Sequence, residues 1–316
     1  MKKILLSTTL LALTAGAATA EVTLSGSGRF GLDFNENRVN EVQLAYRLRI
    51  NVDAKFEADN GVTYGGRIRF QNANGTAIQD TGGVRTAAEF SPAMLYVEAS
   101  GVRVEVGNAN TAFDSVALMY NPEIGFQGRS FGDPQGDYYS FSSGPYALNR
   151  VGIYAAYSYS GVNLKVSYIQ FDQTIPSDDL SDNGDELSVA ADFTTGQFTV
   201  AAAYADQGAG RDGNYLTFIG AAYKINDVAN VGLNYNDNGL SDLGKTITLY
   251  GNYTINGITL AGYVTDSDGA NTLGEDFDTA YGIGASYDLG GATLAGAIES
   301  GFDGGMQGDL GVSMSF

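Results

Sequence analysis

Between Val42 and Glu57 the chain reads VQLAYRLRINVDAKFE, and its two alternating residue sets differ completely in chemistry. Even positions carry Val42, Leu44, Tyr46, Leu48, Ile50, Val52, Ala54 and Phe56, whereas odd positions carry Gln43, Ala45, Arg47, Arg49, Asn51, Asp53, Lys55 and Glu57. Successive side chains of a β-strand point to opposite faces, so a strand built from this segment has one apolar face and one charged face. A helix is excluded, because residues two apart lie on nearly opposite sides of it and leave no single apolar stripe. The segment is also far longer than the ~5 or 6 residues of an ordinary soluble strand.

In a soluble sandwich the apolar face of such a strand meets a second sheet and the polar face meets solvent. In a membrane barrel the apolar face meets lipid and the polar face lines a wet lumen. The whole chain is needed to choose. Its 316 residues hold 43 Gly, 20 Tyr, 16 Phe and only 5 Pro. No apolar run after the N-terminus is long enough for a membrane helix. Cysteine and histidine are both absent, which removes thiolate chemistry, Ser-His-Asp catalysis and imidazole-ligated zinc.

The first 20 residues, MKKILLSTTLLALTAGAATA, have a basic start at Lys2 and Lys3, an apolar middle and an Ala18-Thr19-Ala20 ending. This is the pattern of a secretory signal peptide cleaved before Glu21, leaving residues 21–316 as the exported domain. Without Lys2 and Lys3 the 17 basic residues become 15 against 36 acidic ones, a net charge of about −21 that argues against nucleic-acid binding.

The alternation of Val42–Glu57 recurs along the chain. Val22–Phe34 and Val62–Gln71 repeat it, Ala87–Ala99 is less regular, and Val102–Gly107 sets Val102, Val104 and Val106 against Arg103 and Glu105. Further on, paired strands meet at short turns: Ser160-Gly161, Thr195-Gly196, Asn226-Asp227, Asn256-Gly257 and Leu289-Gly290-Gly291, with Asn-Gly a type I′ hairpin signal. About 16 strands result, with tight turns after even-numbered strands and longer polar segments after odd-numbered ones. Tyrosines gather at strand ends, as at Tyr159, Tyr168, Tyr204, Tyr223, Tyr235, Tyr253 and Tyr287, where an amphipathic ring suits a membrane interface. A strand of ~10 residues tilted by ~45° covers ~23 Å, close to the ~25 Å apolar band of an outer membrane. The expected fold is all-β, an antiparallel transmembrane β-barrel of 16 strands, wide enough to hold an aqueous channel.

Four stretches carry a family resemblance: the start Glu21-Val22-Thr23-Leu24-Ser25-Gly26; Val104-Glu105-Val106-Gly107-Asn108 leading into a long connection; the hairpin Tyr281 to Gly290; and the ending Gly308 to Phe316. With these the chain resembles the general diffusion porins of Gram-negative outer membranes, most closely those of the Rhodobacter type. The resemblance implies a homotrimer of 16-stranded barrels whose third external loop folds into the lumen. It also implies a C-terminal strand ending in Phe316 that addresses the barrel assembly machinery, and contact with outer-membrane lipid and lipopolysaccharide.

The longest connection, Asn108 to Tyr146, occupies the position of that family's constriction loop and is too long to be a plain connector. It carries Asp114, Glu123, Asp133 and Asp137, with Arg129 its only basic residue. On the wall, nine of the 15 mature basic residues precede Val104. A loop centred near Arg38 sets Arg29 opposite Arg47, and a turn centred near Asp59 sets Arg49 opposite Arg69. Like charges facing each other destabilise a sheet unless water or acids intervene, which a wet lumen supplies. The expected constriction therefore has a basic wall of Arg29, Arg47, Arg49, Arg67, Arg69 and Arg103 facing Asp114, Glu123, Asp133 and Asp137 across the narrowest point.

Carboxylates also cluster at Asp178, Asp179, Asp182, Asp185 and Glu186, and at Asp266, Asp268, Glu275, Asp276 and Asp278. They offer oxygen ligands of the kind calcium takes, or serve as solvated loops. No other cofactor is implied. The function expected is a passive water-filled channel for small hydrophilic solutes and ions, with no chemical step. The alternatives are a substrate-specific outer-membrane channel, a barrel enzyme, for which histidine is missing, and a secreted structural or adhesive β-protein.

Overall fold

A computed structural model describes residues 20–74, 88–145, 149–172, 174 and 184–316. The proposed signal peptide, Ala87, Tyr146 and the carboxylates Asp178, Asp179 and Asp182 lie outside the described residues, apart from Ala20. The strands run in chain order as β1 Glu21–Asn35, β2 Val42–Glu57, β3 Thr63–Asn74, β4 Glu89–Phe90, β5 Met94–Ala99, β6 Val102–Gly107, β7 Val151–Tyr159, β8 Val162–Gln170 and β9 Glu186–Thr195. They continue as β10 Phe198–Asp206, β11 Leu216–Asn226, β12 Ala229–Asn238, β13 Lys245–Ile255, β14 Ile258–Ser267, β15 Ala280–Asp288, β16 Ala292–Ser300 and β17 Met306–Ser315. Every pairing is antiparallel. Both β4 and β5 pair with β3, so they are two parts of one stave and the barrel has 16 staves. The break falls at Pro92, which has no N–H to give to a ladder.

Closure comes from β1, which pairs with β2 on one side and β17 on the other. The last residue completes the seam: Gly26 N donates to Phe316 O at 2.6 Å and Phe316 N to Gly26 O at 3.0 Å. Among the described residues no edge strand is left, as a sheet crossing lipid requires.

Alternation along each strand sorts the side chains as expected. Leu24, Leu44, Leu249, Ile283 and Ile298 stand exposed on the outer face, while Asn234, Thr248, Glu299 and Asp309 are buried inside. Outward tyrosines border the apolar band near both rims, Tyr159, Tyr253 and Tyr287 by the tight turns and Tyr168, Tyr204 and Tyr281 by the long loops.

The tight turns differ in detail from the expected ones. Asn256 and Gly257 have φ of 51° and 79° and Ser160 and Gly161 have 50° and 83°, the left-handed pairs a type I′ hairpin needs. Two others are displaced by one residue: Thr195 pairs with Phe198, leaving Gly196-Gln197 as the loop, and Asn226 pairs with Ala229, leaving Asp227-Val228. A register irregularity between Lys224 and Asn226 accounts for the second shift.

The wall is uneven in height. Strand β6 has only six residues, and the neighbouring stave is interrupted between β4 and β5, against 15 residues in β1 and 16 in β2. Because the chain has no cysteine, single Cys probes report cleanly on the two faces. Leu249→Cys and Ile283→Cys in reconstituted protein should resist aqueous maleimide, whereas Thr293→Cys should react; equal reactivity at the three sites would reverse the assignment of oil and water.

Candidate pore constriction

The connection leaving β6 turns into the barrel, and polar groups of the inner wall receive it from one side to the other. Ala112 N donates to Ser167 Oγ on β8 at 2.8 Å and Phe113 N to Ser188 Oγ on β9 at 3.2 Å. Asn234 on β12 donates to Leu118 O at 2.9 Å. At the far side Phe126 N and Gln127 N donate to the two carboxylate oxygens of Asp309 on β17, at 3.0 and 3.3 Å. The return limb gives Tyr139 N to Glu186 Oε2 on β9 at 2.7 Å. Asn108 closes the circuit by donating to Ser142 O at 2.8 Å and accepting from Ser142 N at 2.9 Å.

Two further forces fix the loop. Phe113, Val116 and Met119 pack against Ala190 of β9, Ala201, Ala203 and Ala205 of β10, and Leu216 and Phe218 of β11. Small inward alanines leave the room that the loop fills. Opposite them, Arg129 pairs with Asp33 at 2.8 Å and Glu299 at 3.1 Å, both carboxylates being almost wholly buried. Gly125, with φ of 76°, sits where an added Cβ would lie 2.4 Å from Asp309 Oδ1, so only glycine permits this close approach.

With the loop held against β8 to β17, the free part of the lumen lies beside β1, β2, β3 and β6, where the arginines stand. They fall into two groups. Arg29 and Arg47 are cross-strand partners, as the sequence implied, and line a cavity of about 730 Å³ with Glu123, Gly125 and Gln127 of the loop. The Arg29 guanidinium also donates to the Gln127 carbonyl. Arg49, Arg67, Arg69 and Arg103 line a second cavity of about 470 Å³ with Glu105, Asn110, Asp114, Phe141 and Ser143.

The expected facing of Arg49 and Arg69 does not occur. The β2–β3 turn centres on Asn60 rather than Asp59, closed by Ala58 N to Val62 O at 2.9 Å with Gly61 at φ 77°, so Arg49 faces Gln71, Asn51 faces Arg69 and Asp53 faces Arg67. Each arginine thereby gains an oxygen acceptor: Arg49 reaches Gln71 Oε1 at 2.9 Å, Arg69 reaches Asn51 Oδ1 at 2.8 Å and Arg67 pairs with Asp53 at 2.7 Å. Arg103 is neutralised by Glu105 at 2.7 Å and Glu98 at 2.9 Å and lies 3.8 Å over the Tyr96 ring.

Of the four loop acids, the structure brings two to the arginines. Glu123 faces Arg29 and Arg47; burial pushes its carboxyl up to about 7 while the two guanidiniums pull it down. Asp114 lies in the second cavity, its carboxylate accepting the Tyr120 hydroxyl at 2.5 Å. Asp133 is instead buried, one carboxylate oxygen lacking a hydrogen-bond partner; burial, with Glu123 and Glu299 nearby, pushes it up to about 8. Asp137 lies on the return limb against the β10–β11 connection and pairs with Arg211 at 2.7 Å. Glu186, expected among loop carboxylates, is the buried first residue of β9. Among the described residues no group of three carboxylates is arranged to hold a metal ion.

Sequence reasoning passed over Asp33, Glu105, Glu299 and Asp309, which hold the loop or its arginines. Their signal was available: carboxylates at inward parity within strands, which need partners that a lone polar loop arginine and loop amides supply.

Residues 7–303 match the family model described as Gram-negative porin. The chain belongs to the Gram-negative porin family. A porin of Fuscovulum blasticum is 42% identical over 304 residues, covering 94% of this chain and all of that one, and a porin of Rhodobacter capsulatus is 25% identical over 334 residues. Solved structures of substituted Rh. blastica porins superpose with a TM-score of 0.86 at 40 to 41% identity, over 94% of this chain and the whole of theirs. Family and barrel together place this porin in the outer membrane.

Two outcomes follow for the loop. Replacing Arg129 with Ala leaves buried Glu299 without a cationic partner, while Asp33 keeps Arg38 at 2.6 Å, a loss of about 3 kcal/mol; the temperature of the variant's heat-induced mobility shift in detergent should fall by several degrees and its current should flicker. Because Glu123 loses its charge as pH falls through about 7, cation preference should decline between pH 8 and 6, and Glu123→Gln should show the low value throughout, read as reversal potential in a salt gradient.

Proposed function

We propose that this porin is a passive channel through which small hydrophilic solutes and ions diffuse, without a chemical step. The observation that carries this reading is the split of a closed sheet into an apolar exterior and a charged interior narrowed by an inward loop. Guanidiniums on one side and the Glu123 carboxylate on the other set a field across the gap, which orders water and penalises apolar solutes. In this reading the constriction consists of Arg29, Arg47, Arg49, Arg67, Arg69 and Arg103 with Glu123 and Asp114.

The chain is exported by a signal peptide of residues 1–20 and assembles as a homotrimer. The short strand β6 supports the trimer. Six residues at ~3.3 Å and ~45° cover only ~14 Å of a ~25 Å band. Phe90, Leu95, Val102 and Val106 make this arc apolar on the outside, so neighbouring copies would complete the cover. Assembly through the Phe316 strand and contact with lipopolysaccharide belong to the same reading.

Purified protein in planar bilayers should give stepwise, ohmic conductance, and liposomes containing it should swell in small sugars and not in large ones. Neutral residues at Arg47 and Arg49 should raise cation preference. A detergent-free soluble protein with no conductance would fit a secreted β-protein instead.

A further inference from the structure

Arg49 and Arg69 differ from the other lumen cations in what faces them. Arg67 has Asp53, Arg103 has Glu98 and Glu105, and Arg29 and Arg47 share Glu123 across their cavity. Among the described residues Arg49 and Arg69 have no carboxylate within ion-pair distance. Their acceptors are the neutral oxygens of Gln71 and Asn51, and both donate to one further oxygen, the Ser143 hydroxyl, at 3.4 and 3.0 Å. The charges that act most strongly on Arg49 are those of Arg47, Arg69 and Arg29, all of its own sign. Arg69 is also steadied by stacking 4.6 Å from the Phe141 ring.

The acids that share their cavity are engaged elsewhere, Glu105 by Arg103 and Asp114 by the Tyr120 hydroxyl. Asp53, paired with Arg67, acts on Arg69 from a distance, and the Glu89 carboxylate lies beside Gly144, but neither forms an ion pair with Arg49 or Arg69 among the described residues. A pair of guanidiniums converging on one hydroxyl oxygen in a polar cavity of about 470 Å³, without a directly paired carboxylate, is the geometry of an oxyanion site.

Resting on the channel reading above, we propose that Arg49, Arg69 and Ser143 form a subsite at which compact multivalent oxyanions, phosphates above all, pause during permeation. Ser143 Oγ marks where an anion oxygen is received, and Arg47, two residues along β2, extends the positive stripe toward a second anionic group. The subsite is separate from the Arg29–Arg47–Glu123 gap: one region sets a transverse field, the other retains anions.

Inorganic pyrophosphate added to single channels in 0.1 M KCl, where charges are weakly screened, should reduce the current or add noise in a saturable manner, and less so in 1 M KCl. The double substitution Arg49→Gln with Arg69→Gln should raise the half-blocking concentration about tenfold or more, as the loss of charge-assisted contacts requires. Ser143→Asp should do the same with both arginines in place, because it supplies the missing carboxylate, and Lys55→Gln, an exposed rim substitution, should leave the block unchanged. Normal conductance with no pyrophosphate block in the unsubstituted protein, or an equal block in the double variant, overturns the subsite. Absence of any conductance overturns the channel reading instead.

Discussion

In hydrocarbon there is no water to bond a stray N–H or C=O, and each such group costs several kcal/mol. That cost dictates the architecture here. A sheet whose outer face is Leu, Ile, Val and Phe must have no edge, so β1 is paired on both sides and the carboxy-terminal residue is itself hydrogen-bonded to Gly26. Closure then decides what the inner face is, since every second residue of every strand is turned toward an enclosed wet space. The polar lumen is a geometric consequence of satisfying the backbone.

Within that space the wall uses its charges for two purposes. Buried carboxylates on β1, β9, β16 and β17 grip the loop through its amides and through Arg129, while the arginines on β1, β2 and β3 remain beside the open passage. Removing either partner of a buried pair is far more costly than the pair's own net contribution. The loop is therefore held by mutual dependence of the groups beneath it, and its acids are divided between passage and anchorage.

The parity of the strands was plain in the sequence because one face had to be greasy over ten or more residues, and Val42–Glu57 shows it without ambiguity. The Arg29–Arg47 facing was legible too. The Arg49 register was not, since moving a turn centre by one residue from Asp59 to Asn60 shifts every pairing by two and exchanges a like-charge contact for Arg–Gln, Arg–Asn and Arg–Asp contacts. Charge repulsion itself favours the observed register. The roles of Asp133 and Asp137 were hidden for a different reason: a loop has no fixed period, so nothing in its spacing tells which side chains reach the passage and which are buried or paired elsewhere. Only three-dimensional packing separates Glu123 from Asp133.

The alanines at 190, 201, 203 and 205 have an implication for how such channels vary. They lie across the lumen from the arginines, and the loop rests on them through Phe113, Val116 and Met119. Bulkier residues there would push the loop toward the arginine arc, and glycine would let it recede. The calibre of the passage is thus written partly in the volume of side chains that no solute touches, and lineages could retune their sieving by methylene increments behind the loop while every charged residue stays in place.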